Sequence, residues 1–310
     1  MPTSSRPHLA VAICTFHRNE PLHHLLSTLQ RIAAADREHY ALGVVVVDDS
    51  AEQLASAVVA QFAGAFECGI EYRHSGKRNI SLARNLVLET ALETGAEWIA
   101  MTDDDCEPSN QWLTELLHVQ HKTGADIVTG PLIRRAPPGA PRWLHEQPFL
   151  ALSAFEGEDG RTMDLAFTNN SMIPARLLTD SRNFRFNPDY GRIGGEDMVF
   201  YRAVAKAGYR IVFAANAVVC ENEEADRLSL GYQMRRHFWI GNSSVHTSME
   251  NGAGRARMLV HGLATAARAV YRPIGRILQR ERPQLLYGGA KLCEAAGKLA
   301  GVVGLRVKHK

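Results

Sequence analysis

Residues 98–108 read WIAMTDDDCEP, an apolar run that stops at three consecutive carboxylates, Asp103, Asp104 and Asp105. Trp98 to Met101 are dominated by β-formers with nothing polar between them, which predicts a short buried strand. Open α/β sheets place their ligand crevice at the carboxyl ends of the strands, so the three acids are expected on that rim. Adjacent negative charges repel, and a cation or a set of hydrogen-bond donors is needed to offset them. Hard oxygen ligands of this kind suit Mg²⁺ or Mn²⁺, which in turn hold a diphosphate. The same residues also suit a solvated acidic turn ahead of the helical pattern QWLTELLHVQ, and this stretch alone leaves the two open.

The flanking sequence repeats the arrangement. LAVAIC (9–14) is a short apolar run ending at Thr15, Phe16, His17 and Arg18, followed from Pro21 by Leu22, Leu25, Leu26 and Leu29 at helical spacing. LGVVVV (42–47) holds four consecutive valines and no alternation, as a strand buried on both faces of a parallel sheet requires. It ends in Asp48, Asp49 and Ser50, and Leu54, Val58 and Phe62 continue helically. Ile70 to His74 form a third strand, and SGKRNISLARNLVLETALETG (75–95) is a basic loop entering a helix. Strands alternating with helices predict an α/β fold with a doubly wound sheet and right-handed crossovers. Neighbouring strand ends then bring Asp48 and Asp49, Asp103–Asp105 and the cations Lys77, Arg78 and Arg84 to one rim. For Asp49 an Asx turn, and for Arg84 and Asn85 an exposed helix face, remain open alternatives. Neither GxGxxG nor GxxxxGK[ST] occurs, so the dinucleotide and P-loop readings have no support.

The chain has 310 residues, 45% hydrophobic and 22% charged, ordinary for a folded domain of this size. Five cysteines without a CxxC pair favour a reducing compartment over a disulfide framework. The N-terminus lacks the apolar core of a signal peptide, and no run approaches the roughly 18–20 apolar residues of a membrane span. The net charge of +2 hides an asymmetry: from Arg255 onward twelve Lys or Arg face only Glu281 and Glu294. A tail of +10 on a body of −8 suggests a boundary, expected between residues 1–225 and a helical basic extension at 226–310.

The ordered set TFHR, VVVVDDS, NISLARN, MTDDDCEP with its following tryptophan, TNNSMIPARLL and GGEDMVFYRAVAKAGYRI resembles a family 2 glycosyltransferase, in particular the bacterial exopolysaccharide transferases of the succinoglycan glucosyltransferase type. The resemblance covers roughly residues 8–245. It implies a GT-A fold (Rossmann-like, nucleotide-diphospho-sugar transferase), a nucleotide-sugar donor, a divalent metal (Mn²⁺ or Mg²⁺) and inversion at the anomeric carbon. Carried over by position, Thr15 and Asp49 contact the uridine, Arg84 lies against the nucleotide, and Asp103 and Asp105 are the outer members of a DxD. Asp103 is then near the ribose and the metal, Asp105 is on the metal, and Asp104 lies within the nucleotide-sugar site. Asn169 and Asn170 precede a strand in the region that faces donor sugar and acceptor.

In GGEDMVFYR (194–202) paired glycines allow close backbone approach, and the acids open a helix whose dipole favours negative charge. An inverting transfer needs one carboxylate to take the acceptor's proton. The resemblance assigns that base to Asp197, with Glu196 orienting the acceptor; as bare residues both also suit a helix N-terminus.

Two departures qualify the match. Many relatives carry a metal-binding His after the strand matching IVFAANAVV, where this chain has Cys220-Glu221, and a thiol is a poor partner for a hard ion. Gln233 to His237 resembles the QxxRW of processive synthases with His in place of Trp, which favours single-sugar transfer; Arg235 or Arg236 is then available to a diphosphate or to solvent. The four prolines between Ala136 and Pro148 predict a bordering loop, with Trp143 a core or surface residue more than a sugar platform.

In the tail Leu259, Leu263, Ala266 and Val270 share one helical face, opposite Arg257, His261, Arg268 and Arg272. Leu292, Ala296, Leu299 and Val303 repeat the stripe. Basic amphipathic helices of this type lie on anionic membrane surfaces, or pack on their own domain or a second subunit. Without aromatic interleaving the basic tail does not read as a nucleic-acid site. The expectation is an inverting, membrane-peripheral, cytoplasmic enzyme transferring one hexose, UDP-glucose being the first candidate donor, to a surface-polysaccharide or lipid-linked glycan. The rival readings are a sugar-phosphate nucleotidyltransferase, disfavoured because residues 9–20 contain no glycine, and a catalytically silent nucleotide-sugar-binding scaffold.

Overall fold

The computed structural model describes residues 6–150 and 157–308. They fall into two compact units, one of Met1–Ile133, Leu152–Gly191 and Phe200–Asn222, the other of Arg134–Ala151, Arg192–Val199 and Glu223–Lys310. The first part of the chain runs β1 (His8–Thr15), α1 (Asn19–Ala35), β2 (Ala41–Asp48), α2 (Ser56–Ala60), β3 (Ile70–His74), α3 (Ile80–Glu93) and β4 (Trp98–Asp103). Next come β5 (Cys106–Pro108), α4 (Trp112–Thr123), β6 (Ile127–Thr129), β7 (Leu132–Arg135) and α5 (Arg142–Glu146). They are followed by β8 (Thr162–Met163), β9 (Ser171–Pro174), α6 (Arg176–Thr179), α7 (Glu196–Lys206), β10 (Ile211–Phe213) and β11 (Val219–Asn222). Three long helices close the described chain: α8 (Leu230–Glu250), α9 (Arg255–Leu278) and α10 (Leu285–Val302).

The first unit is built on an eight-stranded sheet in the order β3-β2-β1-β4-β9-β6-β10-β8. β1, β2, β3 and β4 pair in parallel, as the alternating strands and helices require. Both faces are covered: Val44 and Val46 point into one apolar cluster with Leu25 and Leu29 of α1, Val45 and Val47 into the other with Val87 and Leu88 of α3. That division explains a valine run without alternation. The doubly wound expectation needs two amendments. β9 inserts antiparallel between β4 and β6, and β8 adds an antiparallel edge to β10. The stretch after Ile211 is two strands rather than one, because β11 leaves the large sheet for a second one, of order β5-β11-β7.

Register positions the site. Thr15 lies opposite Asp48, Cys14 opposite Asp103, and Asp48 opposite His74, so the ends of β1 to β4 finish level with one another. β5 then pairs antiparallel with β11, which sets Cys106 opposite Glu221 and Glu107 opposite Cys220. The acidic triplet is therefore held between two sheets. It does not lead straight into a helix.

In the second unit α10 packs against both α8 and α9. The backbones of α8 and α10 approach so closely that a Cβ on Gly241 would lie 2.0 Å from the Glu294 carbonyl oxygen, and one on Gly297 1.9 Å from that of Phe238. A smaller apolar cluster centres on Phe149, whose ring meets Trp143, His237 and Tyr287 edge-on. Trp143 is thus a packing residue. His237 is also internal: its Nδ1 lies 2.9 Å from the Gln233 carbonyl oxygen, and burial pulls its pKa below the ordinary imidazole value.

Candidate active site

On the rim of the first unit Asp49, Asp104 and Asp105 are buried and Asp103 half-buried, and the group is bound together. The Thr15 hydroxyl donates to Asp104 Oδ2 at 2.8 Å, and Arg18 Nη1 donates to Asp104 Oδ1 and Asp105 Oδ2, each at 2.9 Å. Arg84, 8% exposed in spite of its place in a helix, turns Nη2 to within 3.4 Å of Asp103 Oδ1 and lies over the Phe186 ring. Asp49 is the anchor of the basic loop: its two carboxylate oxygens accept the backbone N–H groups of Lys77 at 2.9 Å and Asn79 at 2.6 Å. Asn79 then caps α3 by accepting from the Leu82 N–H, and Asn85 forms a two-way pair with the backbone of Phe186. The NISLARN stretch thus fixes the loop so that Arg84 meets Asp103.

The cations that meet Asp104 and Asp105 do not offset the cost of burying them. Burial, outweighing the pull of Arg18 and Thr15, raises the Asp104 pKa to about 6. Burial raises Asp105 further, to about 8, against Arg18 and with added repulsion from Asp103, Asp104 and Glu221. A group of this kind favours an additional cation. Its oxygens are hard donors that fit Mg²⁺ or Mn²⁺. Among the described residues no cluster of three or more His, Cys, Asp or Glu is arranged as a metal cage. Asp103 and Asp105 are the residues that would hold such an ion. Cys220 is buried, and a thiol is a poor partner for a hard ion.

Two predicted residues have internal roles. Asn170, 1% exposed, was expected to face the sugar; instead its Oδ1 accepts from the Trp112 indole, and its Nδ2 donates to the Pro131 and Ala217 carbonyls. Its amide is committed to joining β9 to α4 and the turns after β6 and β10, and the tryptophan of the motif is its partner. Arg236, in the second unit, sits 3.7 Å from the buried carboxylate of Glu223, which also pairs with Arg134. A buried carboxylate of that kind holds its cations by the cost of leaving it uncompensated.

Glu196 and Asp197 open α7, in the part of the chain belonging to the second unit, and the glycines before them behave as their pairing suggested. Gly194 and Gly195 have φ of +79° and +88°. A Cβ on Gly194 would fall 2.0 Å from Trp239, and one on Gly195 2.4 Å from Thr247, both on α8. The Glu196-Asp197 pair is thus seated on α8 by a turn only glycine can make. Glu196 is buried, Asp197 half-buried.

Sequence patterning did not single out Arg18 or Glu221. Arg18 lies three residues beyond the end of β1, where a cation facing an acidic rim is a usable signal. Glu221 was visible only as the neighbour of the departing Cys220, and the β5–β11 pairing is what brings it to Asp105.

The comparisons with known proteins agree with this arrangement. The family model described as "Glycosyl transferase family 2" matches residues 10–187. The succinoglycan biosynthesis protein ExoM of Rhizobium meliloti (strain 1021) is 33% identical over 249 residues, 80% of this chain and 77% of that protein. Glycosyltransferase AglE of Haloferax volcanii is 24% identical over 250 residues, 80% of this chain and 76% of its own. Among solved structures, S. aureus TarS 1–349 with UDP-GlcNAc superposes with a TM-score of 0.54 at 14% identity, over 94% of this chain and 89% of that one. The same fragment with UDP gives 0.51 at 15% identity, over 96% and 92%. These likenesses establish the GT-A fold. The family match, together with the identity to ExoM, shows that this chain belongs to glycosyl transferase family 2.

Proposed function

We propose that this glycosyltransferase moves a single hexose from a UDP-sugar, UDP-glucose being the first donor to try, to a surface-polysaccharide or lipid-linked glycan acceptor, with inversion. The observation that carries the donor half is the level finish of β1, β2 and β4, which collects Thr15, Asp49 and the Asp103–Asp105 triplet with Arg18 and Arg84 on one rim. The UDP-GlcNAc bound in a TarS structure supports a nucleotide-sugar donor, and the succinoglycan biosynthesis named for ExoM supports a polysaccharide acceptor. Asp49 and the loop it anchors receive the uridine, Asp103 the ribose side, and Arg84 steadies Asp103.

Asp105, with Asp103, is proposed to hold Mn²⁺ or Mg²⁺, the ion offsetting charge on the departing diphosphate. In that step Asp197 accepts the acceptor hydroxyl's proton while the oxygen bonds to the anomeric carbon, and the bond from that carbon to the phosphate oxygen breaks with its electron pair leaving on UDP. Glu196 orients the acceptor. The enzyme works at the cytoplasmic face of a membrane in the same proposal. Among the described residues no helix is long and apolar enough to cross it.

UDP release from a panel of UDP-sugars, with Mn²⁺, Mg²⁺ or EDTA, tests the assignment in wild type and Asp197→Asn. Release from one sugar that needs metal and falls about 10²–10⁴-fold in the variant, with UDP affinity unchanged, is the expected result. Absence of both release and UDP binding would overturn it. UDP binding without turnover, even with lipid-linked acceptors supplied, would favour the silent scaffold.

A further inference from the structure

We infer that α9 and α10 form a flat two-helix plate whose common apolar side docks on an anionic lipid bilayer surface. The inference rests on these helices alone and is independent of the donor assignment. α9 has 24 residues, about 36 Å of helix at 1.5 Å per residue, and includes five arginines and no carboxylate. Its contact with α10 runs through a seam of Gly262, Ala269 and Pro273, which with Met258 are its buried residues. Its larger apolar residues are left out of that seam: Leu259, Leu263, Val270, Ile274 and Ile277 are 43–54% exposed. α10 does the same. It turns Gly288, Ala290, Ala295, Gly297 and Gly301 inward and leaves Leu285 and Leu292, with Val303 just past its end, at 61%, 43% and 83%. Large side chains outside and small ones inside invert the usual order of a soluble helix pair.

The two stripes lie on the same side of the pair. The helices run antiparallel, because Gly262 near the start of α9 meets Leu299, and Gly288 near the start of α10 meets Ala269 and Pro273. At about 100° per residue, the exposed stripe lies roughly 90° ahead of the contact seam on α9 and about 40–50° ahead on α10. Rotations in the same sense on antiparallel neighbours turn to the same side of the pair, so the stripes share one apolar face. On α9 the opposite side carries Arg257, His261, Arg268 and Arg272.

A broad apolar face backed by a carboxylate-free basic helix matches an interfacial membrane helix. Charge decides between occupants. A second copy would add another extension of the same +10 charge (twelve Lys or Arg against Glu281 and Glu294), whereas anionic headgroups offset it. The stripe that the sequence placed on lipid, on its own domain or on a second subunit is thus assigned to lipid.

The test is co-sedimentation of the full chain with phosphatidylcholine vesicles and with the same vesicles carrying phosphatidylglycerol. Binding to the anionic vesicles at least tenfold above the neutral ones, reduced about tenfold by Val270→Glu with Ile274→Glu, is expected. Arg268→Gln with Arg272→Gln should lessen the preference for phosphatidylglycerol. Melting temperature and UDP binding should not move in either variant, since the four side chains are exposed. Failure to bind phosphatidylglycerol vesicles, or binding unchanged by the glutamates, would overturn the inference. So would a dimer in solution that the glutamates dissociate.

Discussion

The Asp103–Asp105 triplet and Glu294 of α10 are both carboxylate sites taken largely out of water, and they are left in opposite states. Burial pushes Glu294 up, but Lys291 at 2.6 Å and Lys298 at 2.8 Å outweigh it and hold its pKa below the ordinary carboxylate value. Burial also pushes up Asp104 and Asp105, and there Arg18 falls short, so both remain above it. The helix carboxylate has its cations built in as near neighbours on the same helix. At the rim the cations that meet the acids do not offset burial, a pattern that often accompanies a binding site and that suits the proposed ion. Electrostatic shortage is thus proposed to mark the site, and electrostatic sufficiency the scaffold.

The sharpest way to break this contrast is Asp105→Asn. It should lower metal-dependent UDP release about 10²–10³-fold, the scale of several kcal/mol of lost charge stabilisation, while leaving the melting temperature without metal unchanged or higher. A large fall in melting temperature with turnover preserved would mean that the triplet is scaffold after all. Arg18→Gln sharpens it from the other side. Removing the cation shared by Asp104 and Asp105 should cost about 2–3 kcal/mol in denaturant unfolding, and Mn²⁺ should restore part of that loss. No response to Mn²⁺ would dissociate the shortage from metal binding.

Glu294→Gln is the mirror experiment: about 2 kcal/mol less stable by the same measurement, with donor-dependent UDP release unaffected. The smallest effect is its pH dependence. Because the folded pKa of Glu294 is lowered, its contribution is fully present above the unfolded value and is lost as pH falls through the folded one. The gap in stability between wild type and Glu294→Gln should therefore close as pH is taken from about 7 to about 3. A gap that widened would reverse the sign of the shift.

Much of the donor side was legible in the chain because strand ends announce themselves. An apolar run that stops at acids has both its burial and its polarity written locally, and VVVVDDS and MTDDDCEP were each read correctly as strand termini. Asn170 was placed near the sugar by resemblance, and the sequence does not show that its amide meets Trp112 and two carbonyls, because an asparagine before a strand looks the same either way. Arg84 was left open between a helix surface and the nucleotide site, and what decides for the interior is the Asn79 cap and the Asn85–Phe186 pair.

By itself the sequence determined the alternation of strands and helices, the acidic rim, the need for glycine before Glu196-Asp197 and the amphipathic division of the tail. All of these are local: they depend on side-chain period, on runs of one polarity, or on a backbone angle. Only the tertiary structure decided that β9 enters antiparallel, that Arg18 bridges Asp104 and Asp105, that Glu221 faces Asp105, and that the larger apolar stripe of α9 is the one left uncovered. Those facts depend on which distant segments pair and in which register, and neighbouring residues carry no record of a partner a hundred positions away.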